Sequence, residues 1–155
     1  MSNSFYIFGG TFDPIHEGHI GVLRELVGKK IVIAPTELNP LKDKPTNSLA
    51  NRIEMIEKVL SYEGISHQKL VRPLTCEVYI TDFAYRYVCD FADWWKKNHQ
   101  GDLIWVIGPD LVDQVKTWKN WDSLGIKVYV AASHANDLHS SDIRSHKYPI
   151  HPALR

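Results

Sequence analysis

Phe5-Tyr6-Ile7-Phe8-Gly9-Gly10-Thr11-Phe12-Asp13-Pro14-Ile15-His16-Glu17-Gly18-His19 is the stretch from which the rest of the chain can be read. Phe5 to Phe8 is a short, unbroken apolar run, which reads as a buried strand. It stops at Gly9-Gly10, Pro14 stiffens the turn that follows, and a helical pattern runs from about Ile20 to Val27 before Gly28. The string is therefore a strand, a glycine-rich turn and a helix start. Two residues without Cβ atoms let a ligand approach the backbone, and Gly18 keeps the helix start open. A helix N-terminus offers N–H groups and a partial positive charge that suit phosphate, and His16 and His19 can add donors to the same anion. Each part also has a plainer reading. Two glycines after a strand often make only a tight turn, and a lone histidine is usually structural. A His-x-x-His pair suits a metal as well, but zinc takes three or four protein ligands. The string supplies no clear third or fourth, so no metal site is expected. The whole string is far more specific than its parts and points to phosphate.

Working outward, Ile31-Val32-Ile33-Ala34 ends at Pro35, Leu103-Ile104-Trp105-Val106-Ile107 ends at Gly108-Pro109, and Ile126 to Ala131 forms a fourth apolar run. A weaker strand is expected at Lys69-Leu70-Val71, before Pro73. Ile53, Ile56, Val59 and Leu60 have helical spacing after Ser48. Phe83, Tyr87, Phe91 and Trp94 or Trp95 repeat that spacing, with Asp82 as the expected N-cap. Asn39–Asn47, with two prolines and two lysines, reads as a loop. Strand–helix alternation with nearly continuous apolar strands predicts an α/β fold, a Rossmann-like doubly wound parallel sheet with helices on both faces. Residues 1–155 are read as one domain. Ligands of such sheets bind at the carboxyl ends of the strands.

With 155 residues, 44% of them hydrophobic, the chain can build a real core. Lys plus Arg and Asp plus Glu are both 18, so the formal net charge is zero. Proteins that hold duplex nucleic acid usually carry a basic excess, and a nucleic-acid partner is not expected. The N-terminus has no basic region followed by an apolar run, and no segment is long enough to span a membrane. Cys76 and Cys89 form neither a metal-ligand spacing nor a disulfide framework. The expected setting is the cytoplasm, the expected partners are small-molecule nucleotides, and homo-oligomerisation stays open.

The opening string resembles the signature of the nucleotidyltransferase superfamily, whose core is H-x-G-H. In its longer form it resembles the nicotinamide and nicotinate mononucleotide adenylyltransferases. Pantetheine-phosphate adenylyltransferases usually carry Ser and Thr where Thr11 and His16 stand here. The resemblance implies that Gly9, Gly10, Thr11, Phe12 and Gly18 bind ATP and that His16 and His19 are catalytic. Ile107-Gly108-Pro109-Asp110 resembles I-G-x-D, which adds Gly108 and Asp110 to the ATP site; Asp110 could equally cap a helix. Leu138-His139-Ser140-Ser141-Asp142-Ile143-Arg144 resembles I-S-S-T-x-I-R. Ser140 and Ser141 would bind ATP, and Arg144 would clamp its departing phosphates with an always-charged fork of donors. Lys42, with Lys44 as a substitute, resembles a loop lysine that meets the mononucleotide phosphate. Arg52 matches an arginine that precedes a methionine in the next helix. Trp118 falls where the family carries a tryptophan, and an indole face can stack on a pyridine. Tyr79-Ile80-Thr81-Asp82-Phe83 resembles Y-T-x-D-T, which puts Tyr79 and Asp82 at the mononucleotide. The sequence departs from the family at three places. His139 replaces a serine, Ile80 and Phe83 replace two threonines, and the chain stops eleven residues after Arg144, where relatives commonly continue.

The implied reaction joins nicotinamide or nicotinate mononucleotide to the AMP part of ATP and releases pyrophosphate, with Mg²⁺ carried mainly on the nucleotide phosphates. The alternatives are a same-fold transferase for phosphopantetheine or a phosphorylated polyol, a nucleotide-binding sensor without turnover, and, last, a fragment of a class I aminoacyl-tRNA synthetase.

Overall fold

The computed structural model describes residues 4–37, 45, 47–132 and 150–154. Among these residues six strands and four helices follow one another: β1 (Ser4–Gly10), α1 (Glu17–Glu25), β2 (Ile31–Pro35), α2 (Leu49–Tyr62), β3 (His67–Lys69), β4 (Val78–Ile80), α3 (Val88–Asn98), β5 (Asp102–Ile107), α4 (Trp121–Leu124) and β6 (Lys127–Val130). Short 3₁₀ turns occupy Pro109–Leu111, Val115–Thr117 and Pro152–Leu154. All the strands are parallel and lie in the order β3-β4-β2-β1-β5-β6. This is the doubly wound α/β sheet the sequence predicts. The chain leaves β1 toward β2 on one side and returns to pair β5 on the other. The order therefore reverses at β1, and a crevice opens at the carboxyl ends of β1 and β5.

Strand alternation explains the two cores. Phe8, Ile31, Ile33, Val78, Ile80 and Val106 face one side, where α1 and α2 bring Ile20, Leu23, Ile56 and Leu60. Phe5, Ile7, Val32, Ala34, Tyr79, Trp105 and Ile107 face the other, against Phe91 and Trp95 of α3. Successive side chains point to opposite faces, and apolar residues at both parities make each strand continuous in sequence.

Several boundaries differ from the sequence reading. Ser48 does cap α2, its Oγ accepting the Asn51 N–H at 3.1 Å. Asp82 does not cap α3; Tyr87 takes that place without a side-chain bond, and Phe83 lies ahead of the helix. Phe83 still follows the aromatic pattern because its ring stacks on Trp94 at 4.4 Å. The weak strand is His67–Lys69, two residues earlier than expected, and β4 went unread because it is only three residues long. Among the described residues no helix is long and apolar enough to cross a membrane.

Candidate active site

The turn after β1 ends at His16, whose extended backbone (φ −146°, ψ −178°) makes it the N-cap of α1. Its Nδ1 accepts the Gly18 N–H at 3.1 Å, and His19 Nδ1 accepts the His16 N–H at 3.0 Å. Two imidazoles thus close a capping box usually made by a hydroxyl and a carboxylate. A ring nitrogen that accepts an N–H carries no proton itself, so each neutral ring holds its proton on Nε2. The sequence reading left the N–H groups of this helix start to phosphate; here the Gly18 amide is spent on His16. The positive end of α1 thus lies against the two histidine rings. The rings stack 3.8 Å apart, both are buried, and Phe12 lies 4.6 Å from His19.

Gly9 and Phe12 also serve the packing of the core. A Cβ on Gly9 would stand 2.5 Å from Trp105 Cζ2 and 2.9 Å from Tyr85 Oη. Close packing against buried aromatics therefore requires glycine there, whatever a ligand does. Phe12 has φ +52° and is 1% exposed, so its side chain belongs to the core. Any part it takes in ATP binding falls to its backbone.

Arg52 fixes the turn from below. Its guanidinium is buried and donates to the carbonyls of Thr11 (2.8 Å), Thr36 (2.6 Å), Asn47 (3.0 Å) and Glu37 (3.2 Å). Asp13 Oδ1 accepts both the backbone and the side-chain N–H of Asn47, at 3.2 and 2.7 Å. One helix residue thereby ties together the segments leaving β1 and β2. Burial pulls the Arg52 pKa down, and the nearby Asp13 charge opposes that shift.

A cleft of about 560 Å³ opens at the carboxyl ends of β1, β2 and β5. Gly9, Gly10, Thr11 and Trp118, all expected from sequence, line it. Trp118 meets Trp121 edge to face at 5.7 Å, which braces the indole. Thr36 Oγ1 is buried in the wall without a hydrogen-bond partner, an uncommon state for a buried hydroxyl. Tyr85 also lines the cleft; its hydroxyl donates to the Ala34 carbonyl, and burial drives its pKa far up.

The remaining expected residues are placed differently. Gly108 is buried just past β5, and Asp110 is exposed in the 3₁₀ turn that follows, where Gly108 rather than Asp110 is the capping residue. Tyr79 is 1% exposed in the core, its hydroxyl donating to the Cys76 carbonyl, so it is not a cleft residue. Asp82 lines another cavity, of about 680 Å³, beside α2, β3 and Trp94. That cavity is larger, but it contains none of the opening string. Lys42, Lys44, His139, Ser140, Ser141 and Arg144 lie outside the described residues. The sequence reading missed Thr36, Tyr85, Arg86, Tyr87 and Lys119 in the cleft. No local signal marked Tyr85-Arg86-Tyr87, because the sequence pattern ran the helix from Phe83 and left the strand Val78–Ile80 unread, whereas α3 begins only at Val88.

Among the described residues, the charged ones lining the cleft are Arg86 and Lys119, and Arg86 is paired with Glu37 at 3.6 Å, just outside the lining. Among the described residues, the three groups close enough to share a metal are Glu17, Glu63 and His151. His151 Nδ1 accepts the Ala153 N–H at 3.1 Å, and Nε2 lies 2.8 Å from Glu63 Oε1. The neutral ring therefore holds its proton toward Glu63, which suits an anchor for the 150–154 segment and leaves Nε2 without a lone pair for a metal.

Residues 7–148 match the family model described as cytidylyltransferase-like. The chain belongs to that family. A probable nicotinate-nucleotide adenylyltransferase of Neisseria meningitidis (serogroup A) is 28% identical over 151 residues, covering 92% of this chain and 72% of the relative. One of the same name from Buchnera aphidicola (strain 5A) is 29% identical over 119 residues, or 74% of this chain. The chain spans about half the length of the Buchnera relative, 53%. In fold, it is similar to the nicotinic acid mononucleotide adenylyltransferase of Plasmodium falciparum solved with NaAD, at a TM-score of 0.66 and 16% identity, covering 92% of this chain and 83% of that one. A bifunctional NMN adenylyltransferase/ADP ribose pyrophosphatase from Francisella tularensis gives a TM-score of 0.64 at 19% identity, covering 94% and 42% of the two chains.

Proposed function

We propose that this chain joins nicotinate mononucleotide to the AMP part of ATP, forming deamido-NAD and releasing pyrophosphate. The observation that carries the reading is the pair of imidazoles capping α1 at the carboxyl end of β1, with Nδ1 of each ring fixed by a backbone amide. The names of the Neisseria and Buchnera relatives favour the acid over the amide as acceptor.

A phosphate oxygen of the mononucleotide attacks the α-phosphorus of ATP. The new P–O bond forms as the bond from the α-phosphorus to the bridging oxygen breaks, and pyrophosphate leaves on the opposite side. The attacking phosphate is already an anion, so no general base is needed. The protein contributes position and charge stabilisation. His16 and His19 direct Nε2–H donors at the α-phosphoryl oxygens, where negative charge crowds in the transition state. Gly9, Gly10 and Thr11 bring backbone to the nucleotide, with Gly18 and Phe12 shaping the turn. Gly108 and Asp110 lie at the end of β5, where a carboxylate can hold ribose hydroxyls. Lys42 receives the mononucleotide phosphate, and Ser140, Ser141 and Arg144 hold the departing phosphates. Trp118 stacks on the pyridine. Mg²⁺ would enter on the nucleotide phosphates as part of the MgATP substrate. Two free thiols, one of them buried, suit a reducing compartment such as the cytoplasm.

The test is pyrophosphate release from MgATP with nicotinate mononucleotide and, separately, nicotinamide mononucleotide. Turnover with the acid supports the reading. No release with either, from folded protein that binds ATP, overturns it in favour of a different phosphorylated acceptor or a sensor.

A further inference from the structure

We infer that Arg86, supported by Lys119, is the specificity-determining residue that reads the carboxylate of the acceptor's pyridine ring by direct charge pairing. The inference rests on the functional reading above and deepens it. Among the described residues, Arg86 and Lys119 are the two cations lining the cleft, and none of the lining residues is acidic. Lys119 follows Trp118 in sequence, and its Nζ lies over the Tyr87 ring at 4.6 Å, which joins that segment to Tyr85-Arg86-Tyr87. The acceptor carries two anionic groups. Its phosphate must reach the histidine-capped start of α1, where the α-phosphorus of ATP is held. A ring stacked on Trp118 places its own substituent among the residues next to Trp118, and those are the cations.

Arg86 is suited to this task. Its ion pair with Glu37 runs through Nε, at 3.6 Å from Glu37 Oε2. That contact orients the side chain while the two Nη groups carry the remaining four N–H bonds of the fork. A planar fork matches a planar carboxylate in two parallel bonds. A carboxamide has one acceptor oxygen and an NH₂ that would face donors, so the same fork favours the acid twice over.

The experiment compares wild type, Arg86→Gln, Arg86→Lys and Lys119→Gln. kcat/KM is measured for nicotinate and nicotinamide mononucleotides, and Kd for each is measured by calorimetry without ATP. Arg86 is exposed, and thermal melts check that each variant is folded. The wild type is expected to prefer the acid. Arg86→Gln is expected to lower the acid-to-amide ratio by about ten- to a hundredfold, in both kcat/KM and Kd. Arg86→Lys should recover part of the ratio, and Lys119→Gln should lower it by less than Arg86→Gln does. A ratio that moves less than about threefold in Arg86→Gln overturns the inference even if both substrates weaken, because equal losses mean that the cation meets the phosphate common to both. Wild-type preference for the amide, or binding of neither nucleotide, also overturns it. If the acid binds but is not turned over, the adenylyl-transfer reading fails, and Arg86 is judged on the Kd ratio alone.

Discussion

Replacing Gly9 with alanine separates two explanations of the glycine-rich turn. The new Cβ would stand 2.5 Å from Trp105 Cζ2, about 1 Å inside the favourable carbon–carbon distance. Trp105 is buried, and Tyr85, 2.9 Å from the same point, is held by its bond to the Ala34 carbonyl. Neither ring can withdraw cheaply. Overpacking of this kind costs about 1–3 kcal/mol, and loosening the tyrosine bond adds about 1. Alanine recovers about 0.5–1 kcal/mol because it is less flexible than glycine when unfolded. The net loss is about 2 kcal/mol, which lowers Tm by roughly 4–8 °C in a domain of this size. Gly10→Ala is the control, since its Cβ meets the Phe12 ring edge at 3.3 Å; it should change stability by less than about 1 kcal/mol. Urea unfolding followed by circular dichroism measures both. The packing account is refuted if Gly9→Ala unfolds within about 0.5 kcal/mol of wild type yet fails to bind nucleotide, because the glycine would then serve only the ligand.

Other outcomes follow from the same contacts. Arg52→Met removes four charge-assisted bonds from a buried site; a net loss of about 3 kcal/mol is expected in urea, and a loss below about 1 would mean that those carbonyls are readily rehydrated. His19→Ala should keep the fold and lower pyrophosphate release about a hundredfold, for about 3 kcal/mol of transition-state stabilisation; near-wild-type turnover would sink the proposed mechanism. Thr36→Val removes a buried hydroxyl that has no partner and should leave stability equal or up to about 1 kcal/mol higher; a clear loss of stability would show that the hydroxyl is satisfied in solution. Finally, Glu63 titrates below its ordinary value of 4.5, chiefly through its bond to His151. A depressed carboxylate contributes stability above its unfolded value and loses it as pH falls through the folded one. Wild type should therefore lose stability below about pH 4.5 more steeply than Glu63→Gln, and identical acid limbs in urea titrations would refute the anchor.

The sequence by itself determined the layer architecture and marked the turn on which the proposed chemistry rests. Apolar runs such as Ile31–Ala34 carry both parities, which only a sheet covered on both faces can bury, and Gly9 to His19 marks a strand-to-helix turn through breakers and residue chemistry alone. Those signals are local, so they survive without knowing what packs where. Only the tertiary structure decided what depends on partners distant in sequence. It gave Gly9 to Trp105, Phe12 and Tyr79 to the core, and the Gly18 amide to His16. It also put Tyr85-Arg86-Tyr87, and not Tyr79, on the cleft lining. The strand Val78–Ile80 is three residues long, too short for a periodicity, and its pairing with Ile31–Ile33 and His67–Lys69 fixes which side chains are buried. That pairing joins segments far apart in the chain, which no local pattern records.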